Sequence, residues 1–202
     1  MLHWLTEHYF FIIEAVAMLT GIVAIYYQIK ENPISWPVYI VNVTLYTYIY
    51  IESRLYAETT LMLYYFIVSI YGWYHWTKGI KKDEKLQIQR LNLRKWGIVI
   101  VIEIFLFAVM AIFLQKFTNS NTPVLDALVT SLSFVATYLL AQKFIENWFV
   151  WFIADSIAIG LYVYKGLYMT VILFVVTTIL IIPGYLRWKK SEERIQNLGD
   201  RI

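Results

Sequence analysis

Seven apolar segments, at roughly 9–28, 36–51, 58–77, 96–115, 125–141, 147–164 and 167–187, account for most of this 202-residue chain, and nothing else limits its fold as strongly. About 20 apolar residues in helical conformation cross the roughly 30 Å hydrocarbon layer of a bilayer. Inside that layer every backbone amide must be satisfied by the segment itself or by a closed barrel. The runs show no period-two alternation, so strands of a barrel are excluded and helices remain. Sixty per cent hydrophobic residues against 15% charged is a composition that a water-soluble domain does not have. The expectation is an all-α integral membrane protein with seven transmembrane helices. The first segment follows an acidic start with no small-residue cleavage site behind it, and reads as a retained helix, not a signal peptide.

Loop charge sets the orientation. Lys30, the seven basic residues from Lys78 to Lys95, Lys143 and the five from Arg187 to Arg201 fall on one side, 14 in all. Only Arg54, Lys116 and Lys165 fall on the other. The positive-inside rule then places the N-terminus outside and the C-terminus in the cytoplasm. Acidic Asp83 and Glu84 interrupt the basic run around 78–95, which reads as a cytoplasmic loop and not as a nucleic-acid patch.

A shift of 112 residues superposes Trp36 on Trp148, Leu55-Tyr56 on Leu167-Tyr168, Gly72 on Gly184 and Trp76 on Trp188 without a gap. Tyr26, Tyr50 and Lys78 fall on Tyr138, Tyr162 and Lys190 in the same register. A duplicated three-helix unit follows, helices one to three and five to seven. Three crossings repeated directly would invert the second copy, so the fourth helix acts as a spacer that restores its orientation. The expected organisation is a first three-helix bundle over 1–80, a loop and linker helix over 81–120, a second bundle over 121–190 and a cytoplasmic tail over 191–202. Parallel repeats of this type occur in transporters with the substrate between the halves.

Asp155 ends the stretch "ENWFVWFIAD" about 12 Å into the sixth helix, near mid-membrane. A charge there costs about 3 kcal/mol and is seldom left facing lipid. Trp148, Trp151 and Asp155 share a helix face at i, i+3, i+7. Two indoles and a carboxylate make the elements of an organic-cation site. Trp148 as an interface anchor, and Asp155 as a carboxylate bonded to hydroxyls of a neighbouring helix, are the structural alternatives. Asn42 and Tyr46, one turn apart on helix two, could hold a polar ring or bond helices together. Glu14 and Glu103 read as snorkelling or locally paired acids. His3, His8 and His75 lack partners at ligand spacing, and there is no cysteine, so no metal is expected. No Gly-rich phosphate loop, His-Glu-x-x-His helix or Gly-x-Ser-x-Gly elbow occurs, so no cofactor and no enzymatic activity are expected. A membrane sensor or intramembrane enzyme is the contrasting class, although an aspartyl mechanism needs a second carboxylate beside Asp155.

"IEAV" at 13–16, "NVTLY" at 42–46, "LYA" at 55–57, "SIYGWYHW" at 69–76, "ENWFVW" at 146–151 and "GLY" at 166–168 closely resemble the PnuC family of bacterial vitamin transporters, over about residues 12–188. The resemblance implies a 3+1+3 helix plan similar to SWEET sugar carriers and homo-oligomers, trimers by analogy. It also implies facilitated diffusion across the bacterial inner membrane, with a cytoplasmic kinase trapping the vitamin by phosphorylation. The substrate-binding candidates are Trp36, Asn42, Tyr46, Met62, Ser69, Trp148, Trp151 and Asp155. Met62, Ser69, Asp155 and Pro183 stand where nicotinamide riboside carriers of the family have amide side chains. Loss of amides and gain of a carboxylate favour thiamine as the small cationic substrate, with nicotinamide riboside as the alternative and neutral riboflavin fitting least.

Overall fold

The computed structural model describes residues 2–52, 56–78, 86–118 and 120–199. Of the sequence features above, Arg54, Leu55, the part of the basic run at 79–85 and the end of the tail with Arg201 lie outside the described residues, as do the side chains of His3, His8, Tyr56 and Ala57. Among the described residues there are seven helices: α1 (Leu2–Ile29), α2 (Ser35–Glu52), α3 (Tyr56–Lys78), α4 (Leu93–Phe117), α5 (Pro123–Ala141), α6 (Asn147–Tyr164) and α7 (Tyr168–Gly199). Each apolar segment coincides with one of them, and α7 runs about three turns past the end of the seventh segment. Five of the helices, α1, α4, α5, α6 and α7, are long and apolar enough to cross a membrane by composition alone. Of the seven expected spans these five meet that criterion, while α2 and α3 fall below its hydropathy. Their tyrosines, together with Asn42, Thr44 and Thr47 in α2 and Thr59, Thr60 and His75 in α3, lower the mean hydropathy.

The contacts divide the chain into one unit from Met1 to Lys85 and another from Leu86 to Ile202, with α4 packing on α5 in the second. In the first unit α1 packs on α2 and α2 on α3. The ends of α1 and α5 show why the chain turns back in each unit. Glu31 takes φ +55° and Lys143 takes φ +56°. Around Glu31, the N–H of Asn32 donates to Tyr27 O at 2.9 Å and that of Glu31 to Gln28 O at 3.0 Å. Around Lys143, Phe144 donates to Leu139 O at 2.9 Å and Lys143 to Leu140 O at 3.0 Å. Both are Schellman closures, which satisfy the last helical carbonyls and ordinarily place glycine at the left-handed position. Gly166, at φ +72°, fills that position at the end of α6. Beyond each turn, Ser35 N–H donates to Asn32 O at 3.0 Å and Asn147 N–H to Phe144 O at 3.1 Å, starting α2 and α6 alike. These paired residues are all 112 apart, the register of the sequence repeat.

Each unit then builds the same aromatic joint. In the first, Trp36 of α2 is fully buried edge-on to Trp76 of α3, with centroids 5.4 Å apart at 89°. In the second, Trp148 of α6 meets Trp188 of α7 at 5.5 Å and 88°. Gly72 and Gly184 lie beneath the first ring of each pair. A methyl on Gly184 would fall 2.5–2.8 Å from Trp148 ring carbons, and one on Gly72 as close to Trp36. No side chain but hydrogen fits there without moving an indole, since carbon atoms rest 3.5–4.0 Å apart.

α4 starts on Asn92, whose side chain accepts the Lys95 N–H at 2.9 Å, a normal N-cap. It has no buried residue and holds α5 partly through Glu103, which accepts the Ser131 hydroxyl at 2.7 Å. α5 begins with Pro123 at its first turn, where the missing N–H costs nothing. The segment before α4 is strapped to the α5–α6 turn: Gln89 N–H donates to Lys143 O and accepts from Ile145 N–H through its carbonyl, both at 3.0 Å, while Glu146 Oε1 accepts Leu91 N–H at 3.0 Å. The Arg90 side chain reaches the buried Glu192 of α7 at 2.5 Å. That carboxylate holds the guanidinium pKa above its ordinary value.

Candidate functional site

Five of the eight candidates belong to the first unit and three to the second. In the second, Ala154 and Ala158 let α6 pack closely, and the Asp155 side chain is only 3% exposed. Thr177 on α7 gives it a partner, with its hydroxyl 2.7 Å from Asp155 Oδ2 and 3.0 Å from Phe174 O. One hydroxyl proton serves one acceptor fully, so the carboxylate is held but not saturated: a carboxylate can accept about four hydrogen bonds. A buried acid with a single neutral donor among the described residues retains most of its capacity to answer a positive charge. Thr177 is the partner of Asp155 that helical periodicity does not find. The polar pair Thr177-Thr178 within "LFVVTTILII" is the signal that could have pointed to it.

The two tryptophans do not stand beside Asp155 as a pair of free rings. Trp148 is 3% exposed and committed to Gly184 and Trp188. Its Nε1 and the Asn147 Oδ1 are buried without hydrogen-bond partners among the described residues, as are Trp36 Nε1 and Ser35 Oγ at the matching place in the first unit. Trp151 is half-buried against a cluster of Leu91, Val135, Ala136, Leu139, Phe144 and Val150. Of the three, Trp151 keeps the most accessible ring.

In the first unit, Asn42 is buried, and its Nδ2 donates to Ala17 O on α1 at 2.6 Å. It also lies above Gly21, where a methyl would come within 3.1 Å of Nδ2. The bond is interhelical, the second of the two roles its sequence position suggests. Ser69 is buried and donates to Tyr65 O within its own helix at 2.6 Å. Tyr46 is half-buried and stacks with Tyr50 at 5.9 Å, and Met62 is half-buried on α3. Trp36 occupies the aromatic joint already described. No group of three or more His, Cys, Asp or Glu able to hold a metal ion occurs among the described residues.

Comparison with known proteins adds the family. The sequence model described as "Nicotinamide mononucleotide transporter" matches residues 11–190. The chain is 27% identical over 204 aligned positions to the nicotinamide riboside transporter PnuC of Escherichia coli (strain K12), covering 89% of this chain and 85% of that one. It is 24% identical to the protein of the same name from Neisseria mucosa, over 90% of this chain and 73% of the relative. It is 22% identical to the riboflavin/roseoflavin transporter RibM of Streptomyces davaonensis, over 87% and 83%. Among solved structures, the crystal structure of the vitamin B3 transporter PnuC matches with a TM-score of 0.74 at 24% identity, covering 90% of this chain and 82% of that one, a likeness of fold. With its apolar helices and a match that spans nearly its whole length, the chain is a multi-pass membrane protein belonging to the nicotinamide mononucleotide transporter family, the PnuC family that its motifs resemble.

Proposed function

We propose that this protein carries nicotinamide riboside across the bacterial inner membrane by facilitated diffusion, and that intracellular phosphorylation retains the vitamin. Thiamine, the first expectation from Asp155, gives way here. The relatives reported above are named for nicotinamide riboside and for riboflavin, and the carboxylate that suggested thiamine serves nicotinamide riboside as well, because its pyridinium ring is permanently charged. The observation that carries the reading is the buried Asp155 of α6, held among the described residues by one neutral hydroxyl on α7. A carboxylate in low dielectric is costly when alone and strongly attractive to a cation that enters. The half-buried Trp151, on the same helix face as Asp155, offers the exposed part of its ring as a stacking face for the pyridinium.

The duplicated Schellman turns and aromatic joints support a 3+1+3 plan in which α1–α3 and α5–α7 are parallel repeats and α4 is the spacer. The basic-residue asymmetry supports an external N-terminus and a cytoplasmic C-terminus. A homotrimer, each protomer with its own path, is the oligomer that the family resemblance suggests. Without a nucleotide motif in the sequence, accumulation depends on a separate kinase.

The test is uptake into proteoliposomes containing purified protein and no nucleotide. Labelled nicotinamide riboside equilibrates to the external concentration and no higher, at a rate well above that of empty vesicles, while riboflavin enters no faster than in empty vesicles. Selective uptake of thiamine would return the substrate to the first expectation. Accumulation driven by a proton or Na⁺ gradient would refute facilitated diffusion.

A further inference from the structure

From Tyr168 to Gly199, α7 is one continuous helix, and its outward face changes chemistry at one point. Ile172, Ile179, Ile182 and Leu186 are all more than half exposed and follow one another along that face. With 3.6 residues per turn, Lys190 lies four residues beyond Leu186 and Arg194 eight, on the same side, and Arg187 flanks them. All three cations are exposed. The other charges on this part of α7 are already answered. Glu192 is buried and paired with Arg90, and Glu193 lies 4.0 Å from Lys189. Arg187, Lys190 and Arg194 have no acidic partner within 4.0 Å among the described residues, and they stand one turn from each other, where like charges repel. A helix gains nothing in isolation from such a stripe. An anion placed outside it would remove the repulsion.

We infer that this stripe is a binding surface for anionic phospholipid, with acyl chains along Ile179, Ile182 and Leu186 and the phosphate held by Arg187, Lys190 and Arg194. The continuity of the apolar and cationic faces selects a lipid over a free phosphate ester. Three cations begin within one residue of the last exposed leucine, which is the distance between acyl chains and headgroup phosphate in one molecule. Arginine adds two-point recognition of phosphate oxygens. Trp188, on the opposite side of the same turn, is locked into the aromatic joint and keeps the stripe facing outward.

Native mass spectrometry of the full chain from mixed micelles tests the inference, using equal amounts of phosphatidylglycerol and phosphatidylcholine. A basic residue at an anionic surface is worth about fivefold in affinity, so three give about a hundredfold preference for the anionic lipid. Lys190→Gln lowers the preference about fivefold, and the triple change Arg187→Gln, Lys190→Gln, Arg194→Gln brings it close to one. Lys189→Gln, whose charge is already paired, leaves it unchanged, and Arg187→Lys with Arg194→Lys retains most of it. Glycerol 3-phosphate at the same concentration does not displace the lipid. A wild-type preference near one, a preference that survives the triple change, or displacement by glycerol 3-phosphate would overturn the assignment. Should the triple variant not fold, the Lys190→Gln and Lys189→Gln pair decides by itself, since equal effects of the two would refute the stripe.

Discussion

Replacing Gly184 by alanine tests the aromatic joint of the second unit. The added methyl would sit 2.5 Å from Trp148 Cη2, about 1 Å inside a normal carbon contact, and Trp188 blocks the ring from retreating. Overpacking of a filled core costs about 1–3 kcal/mol, and the upper part of that range applies where the obstacle is a clamped indole. Alanine returns about 0.5–1 kcal/mol as the better helix former. The net loss is about 2 kcal/mol, or a fall in Tm of about 4–8 °C for a chain of this size. Thermal unfolding followed by size-exclusion fluorescence in detergent measures it. Gly97→Ala and Gly160→Ala are the controls: nothing lies within 4 Å of either added methyl, so each keeps or raises the Tm. Trp148→Phe removes the ring atoms that meet the methyl, so the double variant should lose at least about 1 kcal/mol less than the sum of the two single changes. A Gly184→Ala protein as stable as the Gly160→Ala control, or strictly additive single changes, would refute the account of the joint.

Other expected outcomes follow from single contacts. Asn42→Ala removes the 2.6 Å bond between α2 and α1 and lowers stability by about 0.6–1.7 kcal/mol, read by thermal unfolding, with no change in the orientation of the chain. Glu31→Gly relieves a left-handed non-glycine residue and holds or raises stability, by up to about 1 kcal/mol, despite adding a glycine, as thermal unfolding reads it. Arg90→Ala leaves the buried Glu192 carboxylate without its cation and costs more than Glu192→Gln, which removes the charge from the buried side; the order of the two melting temperatures is the check.

Hydropathy made the helices legible, because a bilayer imposes one length and one backbone solution on every apolar segment. The same measure scores α2 and α3 low because their tyrosines count as polar, although some of them pack ring against ring, as Tyr39 and Tyr65 do at 6.4 Å. The 112-residue register was legible from Trp and Gly alone. Its meaning was not: spacing cannot tell a ring that awaits a ligand from a ring wedged over a glycine, where Trp148 lies over Gly184 against Trp188. The turns at Glu31 and Lys143 were hidden because both hold the left-handed position without glycine. Asp155 declared itself by its cost in hydrocarbon, whereas Thr177 did not, since a threonine in an apolar helix can satisfy its hydroxyl on its own backbone. The substrate was the least legible feature. One carboxylate selects for positive charge, and thiamine and nicotinamide riboside both have it.

The account rests on Asp155 as the counter-charge of a cationic vitamin, and binding measured with paired ligands tests that most directly. Nicotinamide riboside and its neutral dihydropyridine form share the ribose and carboxamide and differ in ring charge. Titrating both against wild type and Asp155→Asn, which keeps size and a hydrogen bond to Thr177, isolates the charge. The account predicts at least a tenfold loss of affinity for the cation, about 1.4 kcal/mol or more, and little loss for the neutral ligand. Equal losses for both ligands, or none for either, would leave Asp155 as a tie between α6 and α7 and contradict the claim.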